Sequence, residues 1–328
     1  MVRDFSNAVI LYNELSSNPG PDETDVLDQV RLVAEMLDQL EIGHQTLEFS
    51  LNLQKNRDAL ERLKPDFVFN MVESVNNRGD LVFLAPALLN SIGIPFTGGS
   101  LETIFLTSSK TLTKQWLNHA GIPTAYWYQG QDIFTPQRGK KYIIKPIWEE
   151  GSLGLDEDSV FDAGDPVFAE KIKRTNFKTH FIEEYIDGRE FNVSMLATES
   201  TPQVLPIPEM IFENYTPGKP KILGYTAKWN VDSFEYRNTN RSFDLPKSDD
   251  SLLENLRSIS LKCWDIFAIN GYARVDFRVD GNGNPWVLEV NVNPCITPDS
   301  GFYSACEQAG ISFREAVKRI ITDISRIK

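Results

Sequence analysis

Residues Gly271–Phe302 read GYARVDFRVDGNGNPWVLEVNVNPCITPDSGF. Two runs rich in β-branched and aromatic residues flank the turn Asp280-Gly281-Asn282-Gly283-Asn284-Pro285, which is the pattern of a β-hairpin. With the turn centred between Asn282 and Gly283, Asp276 falls opposite Glu289 and Arg274 opposite Asn291. Side chains alternate faces along a strand. Arg274, Asp276, Glu289, Asn291 and Asn293 then share one face. Ala273, Val275, Phe277, Val279, Leu288, Val290 and Val292 share the other, which is apolar and must pack on a core.

Directly opposed residues carry Cβ atoms about 4.5–5.5 Å apart. Two carboxylates that close repel unless a cation lies between them. Asp276, Glu289 and the Asn291 carbonyl are the hard oxygen ligands magnesium prefers, with positions left for phosphate and water. The competing reading is a solvated hairpin face neutralised by Arg274. Asn293 and Pro294 continue the polar row into a loop, which raises the metal reading to parity; on this stretch alone both stand. A calcium loop is excluded, because Pro285 occupies the sharp-turn glycine position and position twelve is Asn291 rather than glutamate.

At 328 residues the chain can bury a large core and divide into two or three domains. A formal charge of −13 argues against a nucleic-acid-backbone binder. Cys263, Cys295 and Cys306 have no metal or redox-pair spacing, which suggests a reduced, cytoplasmic setting. The opening MVRDFSNAVILYNE has no long apolar core or cleavage site, so no signal peptide is expected. No apolar run reaches the roughly 18 residues a membrane span needs.

Along the chain, Ala8–Tyr12, Thr46–Leu51 and Phe67–Met71 read as strands. They alternate with helices over Val26–Leu40, Asn56–Leu63 and Leu81–Ser91, and a further strand begins at Ile94. This alternation predicts a small parallel α/β domain. Ligands sit beyond the carboxyl ends of such strands, which singles out Glu73. Thr107–Ala120 reads as a helix with Lys110 and Lys114 one turn apart. Lys141–Lys145 is a strand leading to Glu150-Gly151-Ser152-Leu153-Gly154; a Gly/Ser loop after a strand lysine can wrap phosphates. Thr179–Ile186, Glu190–Leu196, Pro202–Ile211 and Lys221–Trp229 are expected as strands, and Asn230–Asp249 as a mobile loop. Helices are expected over Leu252–Phe267 and, after the Ser312/Glu315 capping box, over Phe313–Ile327.

Lys110, Lys145 with its Gly/Ser loop, the IEEYIDGREF segment and the acidic hairpin ending in Asn-Pro occur in the order of an ATP-grasp enzyme. Over nearly the whole chain the sequence resembles the D-alanine–D-alanine ligases within that superfamily. The resemblance implies an α/β (mixed α+β) ATP-grasp fold: an N-terminal parallel α/β domain over 1–107, a lid subdomain over 108–187, and a C-terminal subdomain with the metal site over 188–328, the last two clamping ATP. It implies that Lys110 and Lys145 hold ATP phosphates under a loop containing Glu150, Gly151 and Ser152. Glu183, Glu184, Tyr185 and Ile186 would read adenine, with the main chain of Glu184 and Ile186 as partners, and Glu190 would bind the ribose. Lys228 would approach the terminal phosphate. Asp276, Glu289 and Asn291 would ligate two magnesium ions, manganese being the alternative metal, and Arg274 would act on the transferring phosphate and the oxyanion. Asn293 and Cys295 would face the acceptor by their backbone, and Ser300 would hold its carboxylate.

The resemblance breaks at the donor half. Leu11–Ser17 lacks the glycines of the family's Gly-Gly-x-Ser-x-Glu segment, and Glu73–Gly79 replaces Gly-Glu-Asp-Gly; at the acceptor turn, Cys295 stands where a glycine is usual. Ser109 replaces a common aspartate. The expected activity is ATP-dependent joining of a carboxylate other than D-alanine to an amine, with an amino acid as acceptor, through an acylphosphate. The expected partners are these two small molecules, with no nucleic acid or membrane and with a homodimer left open. The alternatives are a true D-alanine–D-alanine ligase, a silent ATP-binding regulatory module, and an acylphosphate delivered to a thiol.

Overall fold

The computed structural model describes residues 5–129, 134–149 and 151–324. Glu150 and the end of the last expected helix lie outside them. The chain opens with β1 (Asn7–Asn13), α1 (Pro21–Gln39), β2 (Gly43–Phe49), α2 (Leu53–Leu63), β3 (Phe67–Met71) and α3 (Leu84–Ser91). The three strands pair in parallel in the order β2-β1-β3. Ala8, Ile10, Phe67 and Phe69 face α1, while Val9, Leu11 and Val68 face α2 and α3, so the alternation of each strand supplies two cores. The strand expected from Ile94 is only a bridge between Phe96 and Val68.

The helix expected over Thr107–Ala120 is α5 (Lys110–His119), preceded by α4 (Leu101–Ser108), which overlaps the expected range only at Thr107 and Ser108. Ser109 separates them in extended conformation, and its hydroxyl accepts the Leu112 N–H to cap α5. A four-stranded antiparallel sheet follows. Its strands, β4 (Trp127–Tyr128), β5 (Lys141–Pro146), β6 (Val160–Asp162) and β7 (His180–Glu184), are ordered β4-β7-β5-β6. The helix α6 (Pro166–Arg174) was not foreseen; it covers one face through Phe168, Tyr142, Ile144 and Ile182.

The third sheet contains β8 (Gly188–Leu196), β9 (Gln203–Val204) and β10 (Glu209–Phe212), the two pieces of the strand expected over Pro202–Ile211. Two short helices come next, α7 (Tyr225–Trp229) and α8 (Phe234–Arg237), then β11 (Thr239–Ser242), α9 (Asp250–Ile266), β12 (Tyr272–Asp280), β13 (Pro285–Val292), α10 (Gly301–Gln308) and α11 (Phe313–Ile324). The sheet order is β11-β10-β8-β12-β13, with β9 beside β8. Lys221–Trp229 is not a strand, since Tyr225–Trp229 is helical, and the polar stretch Asn230–Asp249 contains α8 and β11. No helix among the described residues is long and apolar enough to cross a membrane.

The hairpin pairs Arg274 with Asn291 and Asp276 with Glu289, as expected. A bulge then shifts the register, and Phe277 pairs with Val287 rather than Leu288. Val287 joins Ala273, Val275, Phe277, Val279 and Val290 in the core against α9. Leu288 is turned instead to the polar face.

Candidate active site

The polar face of the third sheet is built by cross-strand pairs. Arg278 lies opposite Glu190, Asp276 opposite Asn192 and Arg274 opposite Ser194. Arg278 Nη2 stands 2.9 Å from Glu190 Oε2. Asp276 is the hub. Arg274 donates to both its oxygens, from Nε (2.7 Å) and Nη2 (2.8 Å); Asn192 Nδ2 donates to Oδ1 (2.8 Å) and Asn291 Nδ2 to Oδ2 (3.0 Å). A carboxylate has about four lone-pair positions, so all of them are engaged. Asn192 had not been singled out, although strand alternation from Glu190 puts it on this face.

Three lysines face these acids. Lys110 Nζ donates to Glu149 O at 2.5 Å and lies 3.6 Å from Glu289 Oε1. Lys145 leaves β5 and meets Glu183 Oε1 at 2.5 Å. Lys228, on α7, enters from the other side. Burial works to raise the Glu289 pKa, but Lys110, Lys145, Lys228 and Arg274 outweigh it and hold the carboxyl down at about 2. Burial, reinforced by Arg274, lowers the Lys228 pKa.

Lys110 and Lys114 have separate fates. Lys114 is buried, with Nζ 2.7 Å from Glu183 Oε2 and donating to Thr124 Oγ1 at 2.8 Å. Two lysines therefore engage the Glu183 side chain. The Glu184 N–H is likewise given to Tyr126 O, which leaves its carbonyl, and its carboxylate pairs with Lys140 at 2.7 Å.

The Gly/Ser loop closes against α7. Trp229 Nε1 donates to Gly151 O (3.0 Å), Ser152 Oγ to Leu223 O (2.6 Å) and the Tyr225 N–H to Leu155 O (2.7 Å). Tyr225 Oη reaches α1 by donating to Asp22 Oδ1 at 3.1 Å. Gly151, Ser152 and Gly154 all have positive φ. For Ser152 this is a conformation side chains seldom adopt, held here by its hydroxyl contact.

Two connected cavities result. A narrow slot of about 80 Å³ is lined by Ile143, Glu183–Ile186, Glu190, Arg278 and Leu288. A wide cleft of about 720 Å³ is lined by Asn13, Asp22, Glu23, Asp25, Glu73, Lys110, Asn293, Cys295, Ser300 and Arg241. Lys145, Ser152, Leu155, Leu223, Lys228, Arg274 and Glu289 line both. At the α1 end of the cleft, Cys295 Sγ lies 3.3 Å from Asp25 Oδ2, and Gln29 Nε2 donates to Glu73 Oε1 at 2.9 Å. Burial raises the Cys295 thiol, so it is protonated, and raises the Asp25 carboxyl. The side chain of Asn293 is not free for substrate: its Oδ1 accepts the Gly99 N–H at 3.0 Å, leaving the backbone to face the cleft.

A parallel α/β unit, two antiparallel sheets, and a slot between them floored by acids and roofed by lysines define an ATP-grasp protein. Residues 139–322 match the family model described as the D-ala D-ala ligase C-terminus. The chain belongs to the D-alanine–D-alanine ligase family, whose members are ADP-forming carbon–nitrogen ligases that join a carboxylate to an amine. It is 28% identical over 286 residues to the D-alanine–D-alanine ligase of Aquifex aeolicus, covering 86% of this chain and 90% of that one. It is 30% identical over 325 residues to the uncharacterised protein y4sG of Sinorhizobium fredii, covering 92% and 90%. The solved D-alanine–D-alanine ligase of Bacillus anthracis complexed with ATP superposes with a TM-score of 0.72 over 98% of each chain; at 19% identity this is a likeness of fold.

Proposed function

We propose that this ligase joins a carboxylic acid other than D-alanine to the amino group of an amino acid. The observation that carries the reading is the junction, where three cationic side chains and Glu289 belong at once to the slot and to the wide cleft. A phosphoryl group held there would be shared by a nucleotide on one side and an acid on the other.

In this reading the backbone of Glu183–Ile186 takes adenine and Glu190 the ribose. Lys110, Lys145 and the loop of Glu150, Gly151 and Ser152 hold the phosphates, and Lys228 meets the terminal one. The units 1–107, 108–187 and 188–328 act as base, lid and metal-bearing floor, and the unpaired thiols suit a cytoplasmic protein. Asp276, Glu289 and Asn291 suit magnesium in kind, being hard oxygen donors. Because Asp276 is saturated by Arg274 and two asparagines, it accepts a metal only as Arg274 turns to phosphate. Magnesium bound by these residues, two ions in this reading, would neutralise charge on the transferring phosphoryl group.

Lys145 and Lys228 hold the terminal phosphate against the donor carboxylate. One carboxylate oxygen bonds to the γ-phosphorus as the bond to ADP breaks, giving an acylphosphate. The acceptor amine then adds to the acyl carbon, and Arg274 stabilises the tetrahedral oxyanion. The C–O bond to phosphate breaks, the amine loses its proton, and an amide remains. No side-chain nucleophile is needed, and the protonated Cys295 is unsuited to be one. The donor end supports a substrate other than D-alanine. The family's glycines are absent from Leu11–Ser17, and Glu73–Gly79 stands in place of the family's Gly-Glu-Asp-Gly segment.

The test is isotope transfer. With ATP, magnesium, unlabelled amino acids as acceptors and a pool of carboxylic acids labelled with oxygen-18 in the carboxylate, one labelled oxygen should appear in inorganic phosphate for each amide formed. Unlabelled phosphate alongside amide product would exclude the acylphosphate.

A further inference from the structure

Arg241 belongs to β11, in a stretch that had been expected as loop, and its side chain enters the wide cleft where Ser300 and Gly301 begin α10. One end of its guanidinium is fixed: Nη1 donates to Asp299 O at 3.1 Å and to Ser304 Oγ at 2.9 Å. The other edge, Nε with Nη2, is the planar fork that matches a carboxylate with two parallel hydrogen bonds. Nε is buried and, among the described residues, has no hydrogen-bond partner. A buried charged donor left unpaired is costly, so a missing acceptor is the simplest account of its placement.

The surroundings favour an anion. A Cβ on Gly301 would lie 3.7 Å from Arg241 Nη2, 3.9 Å from its Nε and 3.8 Å from Arg274 Cδ. The two arginines therefore flank Gly301, whose missing side chain leaves the space between them open. Arg274 is paired directly with Asp276, whereas Arg241 has no ion pair among the described residues: it hydrogen-bonds a backbone carbonyl and a hydroxyl, and the Asp299 carboxylate acts on it only at longer range. The first-turn N–H groups of α10 add partial positive charge at the same place. Ser300, which accepts the Tyr303 N–H at 3.2 Å, lines the same wall.

We infer that Arg241 is a specificity-determining residue for the acceptor: its Nε–Nη2 edge takes the acceptor's carboxylate beside Ser300 and so restricts the acceptor to amino acids with a free carboxylate. The inference rests on the ligase reading of the cleft, and it concerns binding alone.

The experiment is calorimetry on full-length protein loaded with magnesium and a non-hydrolysable ATP analogue. The titrants are the common amino acids, each in D and L form, and their carboxamides. The wild type should bind at least one amino acid about tenfold or more tighter than its carboxamide. Arg241→Ala should remove most of that difference by weakening the acid and leaving the amide unchanged, with the analogue bound as before. Arg241→Lys, which keeps charge but not the fork, should recover only part of it and serves as the deciding variant should the alanine form lose the analogue. Three results would overturn the inference: no amino acid binds, acid and amide bind alike, or the substitutions weaken both equally. Carboxylate discrimination without ADP release on any acid pool would instead strike the ligase reading and leave Arg241 as assigned.

Discussion

The pair of lysines on α5 offers a sharp test of how this fold divides labour. Lys114 and Glu183 are buried to 1% and 2% exposure and meet at 2.7 Å, while Lys145 meets the other oxygen of Glu183 at 2.5 Å. At an effective dielectric of about 20, each contact gains roughly 6 kcal/mol of Coulomb attraction, much of it offset by desolvation. Glu183→Gln removes the attraction and leaves two ammonium groups facing each other. Breaking a buried pair in this way costs about 3–5 kcal/mol. That corresponds to a loss of about 10 °C in unfolding temperature for a chain of this size. Lys114→Met should cost a similar amount. The double variant should cost less than the sum by about 1–3 kcal/mol. By contrast, Arg57→Ala, which breaks an exposed pair at the same 2.7 Å separation, should unfold at nearly the wild-type temperature.

Linkage to pH follows from the same contacts. Burial acts to raise the Glu183 pKa, but Lys114 and Lys145 outweigh it and hold the group below its ordinary value of 4.5. The stabilisation is therefore present above about pH 4.5 and lost as pH falls below it, a loss that Glu183→Gln should not show. Thermal and urea unfolding followed by circular dichroism measure all of these. If Glu183→Gln unfolded like the wild type while its KM for ATP rose, Glu183 would be a nucleotide ligand and the structural assignment would be refuted.

Glu289→Gln should abolish ATP turnover with the fold intact, because it changes charge and not size; full activity would remove Glu289 from the metal site. Gly98→Ala should destabilise the Asn-Pro turn, since a Cβ there would lie 1.9 Å from Asn293 Oδ1 on a backbone with φ of +84°. Its acceptor KM should rise with the ATP KM unchanged, and steady-state kinetics would show the contrary directly. Cys295→Ala should keep turnover within about threefold, because the thiol is held protonated; a loss beyond a hundredfold would reopen thiol chemistry.

The acidic hairpin was legible because two periodicities agreed: the alternation gave one core face, and the turn residues fixed which acids face each other. The reading failed past Asp276, where the bulge moves Leu288 to the narrow slot. Leucine suits either face, so no local signal marks the shift. Lys110 and Lys114 look alike in sequence, but the Ser109 cap starts a new helix that aims Lys110 at Glu149 and buries Lys114 against Glu183 of β7. Tyr225–Trp229 reads as strand by composition, and its contacts with Gly151 and Leu155 accompany the helix instead. Arg241 was missed because β11, Thr-Asn-Arg-Ser, is an edge strand without apolar alternation. Its role depends on α10, which is far away in the chain.

The most direct test of the account is phosphate release from ATP and magnesium against pooled amino acids and small carboxylic acids, with products read by mass spectrometry. The account predicts phosphate together with a new mass equal to donor plus amino acid minus water, and little release with D-alanine alone. Turnover with D-alanine as the sole substrate would contradict the donor reading. Tight ATP binding with no product from any pool would contradict the ligase itself.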